Sequence, residues 1–169
     1  VIYEYTIRPK GVRSFDFISS PCHSILGLSP EAVMEDSTLL ESLVHKEDLE
    51  ELQKSSAVCE QAGTEWNWQG RMLVHGVIKW VEIRSNHEVK SDGTIIRRGI
   101  IQDITERKET AKESEVRYQS LVEHLPIGVI IHKEGNIVFA NAHAQVILCG
   151  EPNASLVGKD ILSFVEREH

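Results

Sequence analysis

The chain has 169 residues, 41% of them hydrophobic and 26% charged, with a formal net charge of −8. That length sets a prior of one domain with room for a second, small one, and the acidic balance argues against nucleic acid or an anionic membrane surface as the main partner. No apolar run approaches the roughly 20 residues of a spanning helix, and the three separated cysteines, Cys22, Cys59 and Cys149, fit a reducing compartment better than a disulfide framework. The expected location is the cytoplasm, or the cytoplasmic part of a membrane receptor. Opening on Val1 rather than Met, the chain reads as a piece of a longer protein.

Residues 2–8 alternate weakly and read as a strand, punctuated by Pro9-Lys10-Gly11. Residues 13–19 form a second strand with Phe15 and Phe17 on one face, and the short connection makes the two an antiparallel pair. Residues 20–34 hold short helical pieces broken by Gly27 and Pro30. Ser29-Pro30-Glu31 is a helix start, a hydroxyl cap with proline at the first position. The clearest helix covers 46–61. Leu49, Leu52, Ser56 and Cys59 fall on one face of it, and Glu47 and Asp48 occupy its first turn, where the helix dipole favours them. Gly63 ends it.

Strands follow over 65–74 and 77–89. The second puts Val77, Val81 and Ile83 on one face and Trp80, Glu82 and Arg84 on the other. Ser91-Asp92-Gly93 turns next, and the Asp-Gly pair permits the positive φ of a two-residue hairpin turn. The β-branched strand after it ends at Asp103-Ile104-Thr105-Glu106, where the residue types change at once to those of a charged helix. Asp103 and Glu106 have the spacing of a capping pair. The expected fold is therefore α+β, a five-stranded antiparallel sheet with helices on one face. About 105 residues are enough to bury its core.

Residues 105–125 form a charged helix with no Gly or Pro before Pro126. A four-three spacing runs through Ile104, Lys108, Ala111, Glu115, Tyr118, Val122 and Leu125, apolar only in its second half. That pattern fits either a weak coiled coil or a surface helix on its own domain. Strands over 127–132 and 137–140 follow, then a helix capped by Asn141 and containing Val146, Ile147 and Leu148, then Leu156-Val157-Gly158-Lys159-Asp160. This repeats the opening pattern about 120 residues later. Two strands alone are marginal, so this part is expected to need neighbours or another chain. The expected division is a domain over 1–105, a linker helix over 106–124, and the start of a second domain over 125–169.

These residues together resemble a PAS domain with its C-terminal PAC motif. The resemblance rests on Ile25-Leu26-Gly27-Leu28-Ser29-Pro30-Glu31, Val44-His45-Lys46-Glu47-Asp48, Ile78-Lys79-Trp80-Val81, and Gly99 leading to Asp103-Ile104-Thr105-Glu106-Arg107-Lys108. Leu125-Pro126-Ile127-Gly128-Val129 through Phe139-Ala140-Asn141 resembles the start of a second PAS domain. Lys46 stands where the family usually has proline. The resemblance implies a non-catalytic sensory or dimerisation module, most often of a sensor histidine kinase in a two-component phosphorelay or of a cyclic-dinucleotide enzyme. It implies a signal-relay role for Asp103 and Thr105, which by themselves also read as simple caps. It further implies a homodimer through the outer sheet face and the linker helix, with the output kinase domain outside these residues.

Ligand-pocket candidates are Leu49, Leu52, Cys59, Val81, Ile83 and Ile101. These mostly aliphatic residues fit either a filled core or a small apolar site. No cofactor is expected. Flavin-binding relatives carry an Asn-Cys-Arg motif where this chain has Leu40-Glu41-Ser42-Leu43-Val44, and polar amides where it has Val81 and Ile101. Haem is the alternative, with His45 or Cys59 as ligand. Cys22-His23 lacks the second half of a zinc site, so no metal is expected. No catalytic set is present, and Ile96, Ile100 and Trp80 are expected to form an exposed apolar patch.

Overall fold

The computed structural model describes residues 1–151 and 155–164. Residues 152–154 and 165–169 of the expected second domain lie outside the described residues. The chain divides into two compact units, Val1–Lys108 and Glu109–His169. Among the described residues, no helix is long and apolar enough to cross a membrane.

The first unit runs β1 (Ile2–Ile7), β2 (Arg13–Ile18), α1 (Cys22–Leu26), α2 (Pro30–Glu35), α3 (Thr38–Ser42), α4 (Leu49–Ala62), β3 (Trp66–Val74), β4 (Val77–Val89) and β5 (Ile95–Asp103). The strands form one antiparallel sheet in the order β2-β1-β5-β4-β3. The two ends of the unit therefore meet at its centre, with Tyr3 opposite Gly99. Alternation decides which face is buried. Trp66, Trp68, Gly70, Met72 and Val74 of β3 point inward in turn. They join Tyr3, Val81, Ile83 and Ile101 from the other strands, and Cys22, Leu26, Val33 and Leu40 from the short helices, in one core. Gly70 is needed beside Trp68, because a Cβ there would lie 2.1 Å from the indole.

Two boundaries differ from expectation for local reasons. The long helix α4 begins at Leu49 rather than at residue 46, with Asp48 at its N-cap position but its side chain not capping. The Asp48 carboxylate instead accepts from Arg71 of β3, at 2.8 Å from the backbone N, 2.9 Å from Nε and 2.6 Å from Nη2. The turn before β5 is longer than two residues. Lys90 N donates to Thr94 O at 2.8 Å, and Gly93 holds the positive φ of 83°.

The outer sheet face differs from the apolar patch expected in which residues form it. Of the three expected there, Ile96 is 6% exposed, Trp80 is half-buried and Ile100, at 38%, is open; Ile100 pairs with Ile2, which is 60% exposed, and Phe17, opposite Glu4, is 52% exposed. Charged side chains share that face: Arg98 reaches Glu4 and Glu88, and Arg8 reaches Asp16. Alternation placed these charges outward.

α5 (Thr105–Glu123) begins in the first unit and runs on into the second, where β6 (Ile130–Lys133), β7 (Asn136–Ala140) and α6 (Ala142–Cys149) follow it. β6 and β7 form a two-stranded antiparallel sheet over a small core of Ile137, Ala140, Ala144 and Leu156. Asn141, fully buried, caps α6 by accepting from Ala144 N at 2.9 Å. The same side chain accepts from Val129 N at 2.8 Å and donates to Val122 O and Ile127 O at 2.9 Å. It thereby occupies backbone groups of the segment before β6, which is why that strand starts at Ile130 rather than at residue 127.

Candidate functional site: a cavity and a sheet-to-helix junction

A cavity of about 100 Å³ lies inside the first unit, between the sheet and helices α3 and α4. Of the six residues expected to line a pocket, Leu52, Ile83 and Ile101 do so. Val81 is fully buried in the core, and Leu49 and Cys59 pack against that core without reaching the cavity. Cys59 Sγ lies 3.5 Å from Glu65 O. His45 is also off the wall, its Nδ1 3.4 Å from Glu47 N. Among the described residues, no group of three or more His, Cys, Asp or Glu could hold a metal ion.

The wall holds more polar chemistry than an aliphatic lining. Arg97 of β5 is 3% exposed. Its Nη1 donates to Ser56 Oγ and its Nη2 to Ser56 O, each at 3.0 Å, and Nη2 also lies 2.9 Å from Glu60 Oε1. The guanidinium stacks 5.2 Å from the Trp66 ring centroid, a favourable cation–π placement. Its Nε, also buried, has no hydrogen-bond partner. Tyr3, Tyr5 and Phe15 form the aromatic side, with Phe15 centred 5.7 Å from Tyr3 and 4.7 Å from Tyr5. Burial pushes both tyrosine phenols above their ordinary range.

Arg97 was within reach of the sequence. In a strand, residues two apart share a face, so Arg97, Gly99 and Ile101 all point to the core. An arginine at a core position was the signal, and it was hidden by its neighbour Arg98, which points outward.

The second place of interest is the end of β5. Asp103 Oδ1 accepts from Thr105 N at 3.0 Å and from Thr105 Oγ1 at 2.6 Å. This is a helix-start cap, and Asp36 makes the same pair of bonds to Thr38 at 2.9 and 2.6 Å. What sets Asp103 and Thr105 apart is their reach into β4. Asp103 Oδ2 lies 3.2 Å from Lys79 Nζ, Thr105 Oγ1 accepts from Trp80 N at 3.0 Å, and Ile104 N donates to Trp80 O at 2.8 Å. Lys108 sits 5.0 Å over the Trp80 ring.

Glu82, 2% exposed, lies two residues further along β4. Its Oε1 accepts from Gln69 Nε2 at 2.6 Å and lies 3.8 Å from Arg107 Nη2 of α5. Its Oε2 lies 2.9 Å from Arg84 Nη2, an ion contact without the alignment of a hydrogen bond. Burial alone would raise the Glu82 carboxyl, but the Gln69 hydrogen bond and the flanking arginines outweigh it and hold the pKa low. Burial would likewise raise Asp103, and the Thr105 bonds and the Lys79 ammonium outweigh it in the same way.

Residues 116–168 match the family model described as PAS domain. No curated protein matches the chain. Among solved structures, a sensory box histidine kinase/response regulator from Burkholderia thailandensis is 19% identical, with a TM-score of 0.54, over 71% of this chain and 89% of that one. The N-terminal domain of a diguanylate cyclase with PAS/PAC sensor from Marinobacter aquaeolei is 18% identical, with a TM-score of 0.51, over 64% and 99%. The PAS domain of a protein from Colwellia psychrerythraea is 19% identical, with a TM-score of 0.50, over 62% and 87%.

Proposed function

From a chain with the PAS fold, we propose a non-catalytic sensory and dimerisation module of a signal-transduction protein, of the sensor histidine kinase type. Its output kinase domain lies outside these residues, and it works in the cytoplasm, as a soluble protein or as the inner part of a receptor. The division into a sensory domain over 1–105, a signalling helix over 106–124 and the start of a second PAS domain over 125–169 is part of this reading.

The observation that carries it is the junction. Lys79, Trp80 and Glu82 lie close together on β4, and each has a partner in the segment from Asp103 to Lys108. A change in the pitch or pairing of β4 therefore acts on the first turn of α5, and a helix transmits rotation or register along its length. The parallel cap at Asp36 and Thr38 opens a five-residue helix and makes no such reach.

No flavin or haem enters this reading. Cofactor-sized ligands occupy sites of roughly 300–1,000 Å³, several times the cavity here. Neither His45 nor Cys59 lines it. No nucleic acid is a partner.

Hydrogen exchange on the Asp103→Ala and Lys79→Ala variants tests the relay. Relay predicts faster exchange over the whole of α5, including the turns after residue 112. Faster exchange confined to residues 104–108 would reduce Asp103 to a cap and sink the relay.

A further inference from the structure

We propose that Asn141 and Glu123 form the receiving end of the relay. They lock the last turn of α5 to the first turn of α6, so that movement of α5 enters the second unit there. The origin of that movement at β4 rests on the reading above; the lock itself does not.

The two helix ends hold each other. Asn141 Nδ2 donates to Val122 O in the last turn of α5, at 2.9 Å. Glu123 Oε1, on the last residue of α5, accepts from Ala142 N, the first amide of α6, at 3.0 Å. Each bond fills a group that a helix end leaves orphaned, a terminal carbonyl in one case and an initial amide in the other. The Glu123 charge also sits at the positive end of the α6 dipole. Residues 124–129, between α5 and β6, leave little slack. Asn141 also holds Ile127 O and Val129 N, and its backbone N donates to Val129 O at 3.0 Å. A Cβ at Gly128 would lie 3.1 Å from Ile147 Cδ1 and 3.2 Å from Ala144 Cα, so this connector lies directly against α6. Residues 109–121 of α5 are exposed throughout. A turn of α5 therefore either breaks these bonds or carries the start of α6 with it.

The first unit shows what Asn141 adds. There Ser19, which follows β2 as Asn141 follows β7, makes the same bracket across the strand pair. Ile2 N donates to Ser19 Oγ at 2.8 Å, and Ser19 N donates to Ile2 O at 2.9 Å. In the second unit Val129 N and O take the places of those of Ile2. A serine is thus enough for the bracket. The amide of Asn141 adds two donors, and both go to chain that precedes β6, one of them to α5 itself. With Oδ1 accepting twice and Nδ2 donating twice, the buried amide is fully paired. Its cap on α6 is a role that a serine can also fill; the reach to Val122 O is not.

Asn141→Ser is therefore the variant that keeps bracket and cap while releasing α5, and Glu123→Ala releases it from the other side. Amide hydrogen exchange, read by NMR on the intact chain, tests both. Each should speed exchange about fivefold or more over residues 117–123, the last turns of α5. For Glu123→Ala that rise would come despite alanine being the better helix former. Glu123→Gln, which keeps an acceptor for Ala142 N, should restore the wild-type rates. The response of residues 142–148 to Lys79→Ala should be lost when either releasing substitution is added. Exchange that rises only within α6, or nowhere, reduces Asn141 and Glu123 to caps and overturns the lock. An equal response of α6 to Lys79→Ala with and without the lock overturns its place as the receiving end. Should Asn141→Ser unfold the second unit, Glu123→Ala and its glutamine rescue decide. An α5 that ignores Lys79→Ala sinks the relay reading, and the receiving role with it, while the rates over 117–123 still judge the lock.

Discussion

Asp48 illustrates how one side chain can do work that its position in the sequence does not announce. It lies just before α4, where a carboxylate would ordinarily cap, yet it takes three donors from Arg71 and ties the start of α4 to β3. Those hydrogen bonds, chiefly the one from the Arg71 side chain, hold its carboxyl below the ordinary Asp value of 3.8. A carboxyl with a lower pKa folded than unfolded binds fewer protons in the native state. Its contribution is therefore complete above the ordinary value and is lost as pH falls through the depressed one. Asp48→Asn should lower stability at neutral pH by about 2 kcal/mol, read from urea unfolding midpoints. The difference from wild type should shrink as pH falls below the ordinary Asp value of 3.8 and through the depressed one, as wild-type Asp48 itself protonates. A constant difference down to pH 2 would show that the charge is not what matters.

At the scale of the element, β5 combines three demands in nine residues: pairing on both edges, an inward arginine, and a direct exit into α5. Gly99 makes the pairing possible. A Cβ at that position would lie 2.3 Å from Arg84 O and 2.9 Å from the Tyr3 ring. Neither a backbone carbonyl of a central strand nor a core ring can retreat cheaply. Gly99→Ala should cost about 2 kcal/mol or more and lower the thermal midpoint of the first unit by several degrees. A midpoint unchanged within error would mean that the sheet yields at this point.

Much of this was legible in advance. Val81 and Ile83 of β4 are buried as alternation required, although Val77 of the same set is exposed and Glu82 of the opposite set is buried; Ser29 caps α2 as its hydroxyl-proline signal required, and Asn141 caps α6. The cavity was only half legible, for a physical reason. Apolar candidates were sought on one helix face and one sheet face, but Leu49 and Cys59 sit toward the two ends of α4 while the cavity opens between them, at Leu52 and Ser56. Its wall also includes Arg97, Tyr3 and Tyr5, which alternation places inward but which a search for apolar positions passes over. The outer face was misread in its members: Ile96 is buried, and the open apolar pair is Ile100 with Ile2 of the neighbouring strand.

For the whole molecule, the open question is what α5 meets along its length. None of its residues is buried, and Val116, Tyr118 and Leu121 are 58%, 71% and 58% exposed. Its 19 residues span about 28 Å at the helical rise, and the four-three seam is apolar only from Tyr118 through Val122 to Leu125. A coiled coil built on so short an apolar stretch is marginal by itself. The homodimer we infer through this helix should therefore be reversible, with a dissociation constant in the micromolar range. Sedimentation equilibrium over a concentration series should show self-association of the wild-type chain. Tyr118→Lys should abolish it, since two like charges would face each other across the seam. The same substitution should leave the thermal unfolding of the first unit unchanged, because Tyr118 lies outside Val1–Lys108. A wild-type chain that stays monomeric at about 100 μM would remove dimerisation from the function. The relay would then have to act within one chain, with α5 passing its motion only to the unit that follows it.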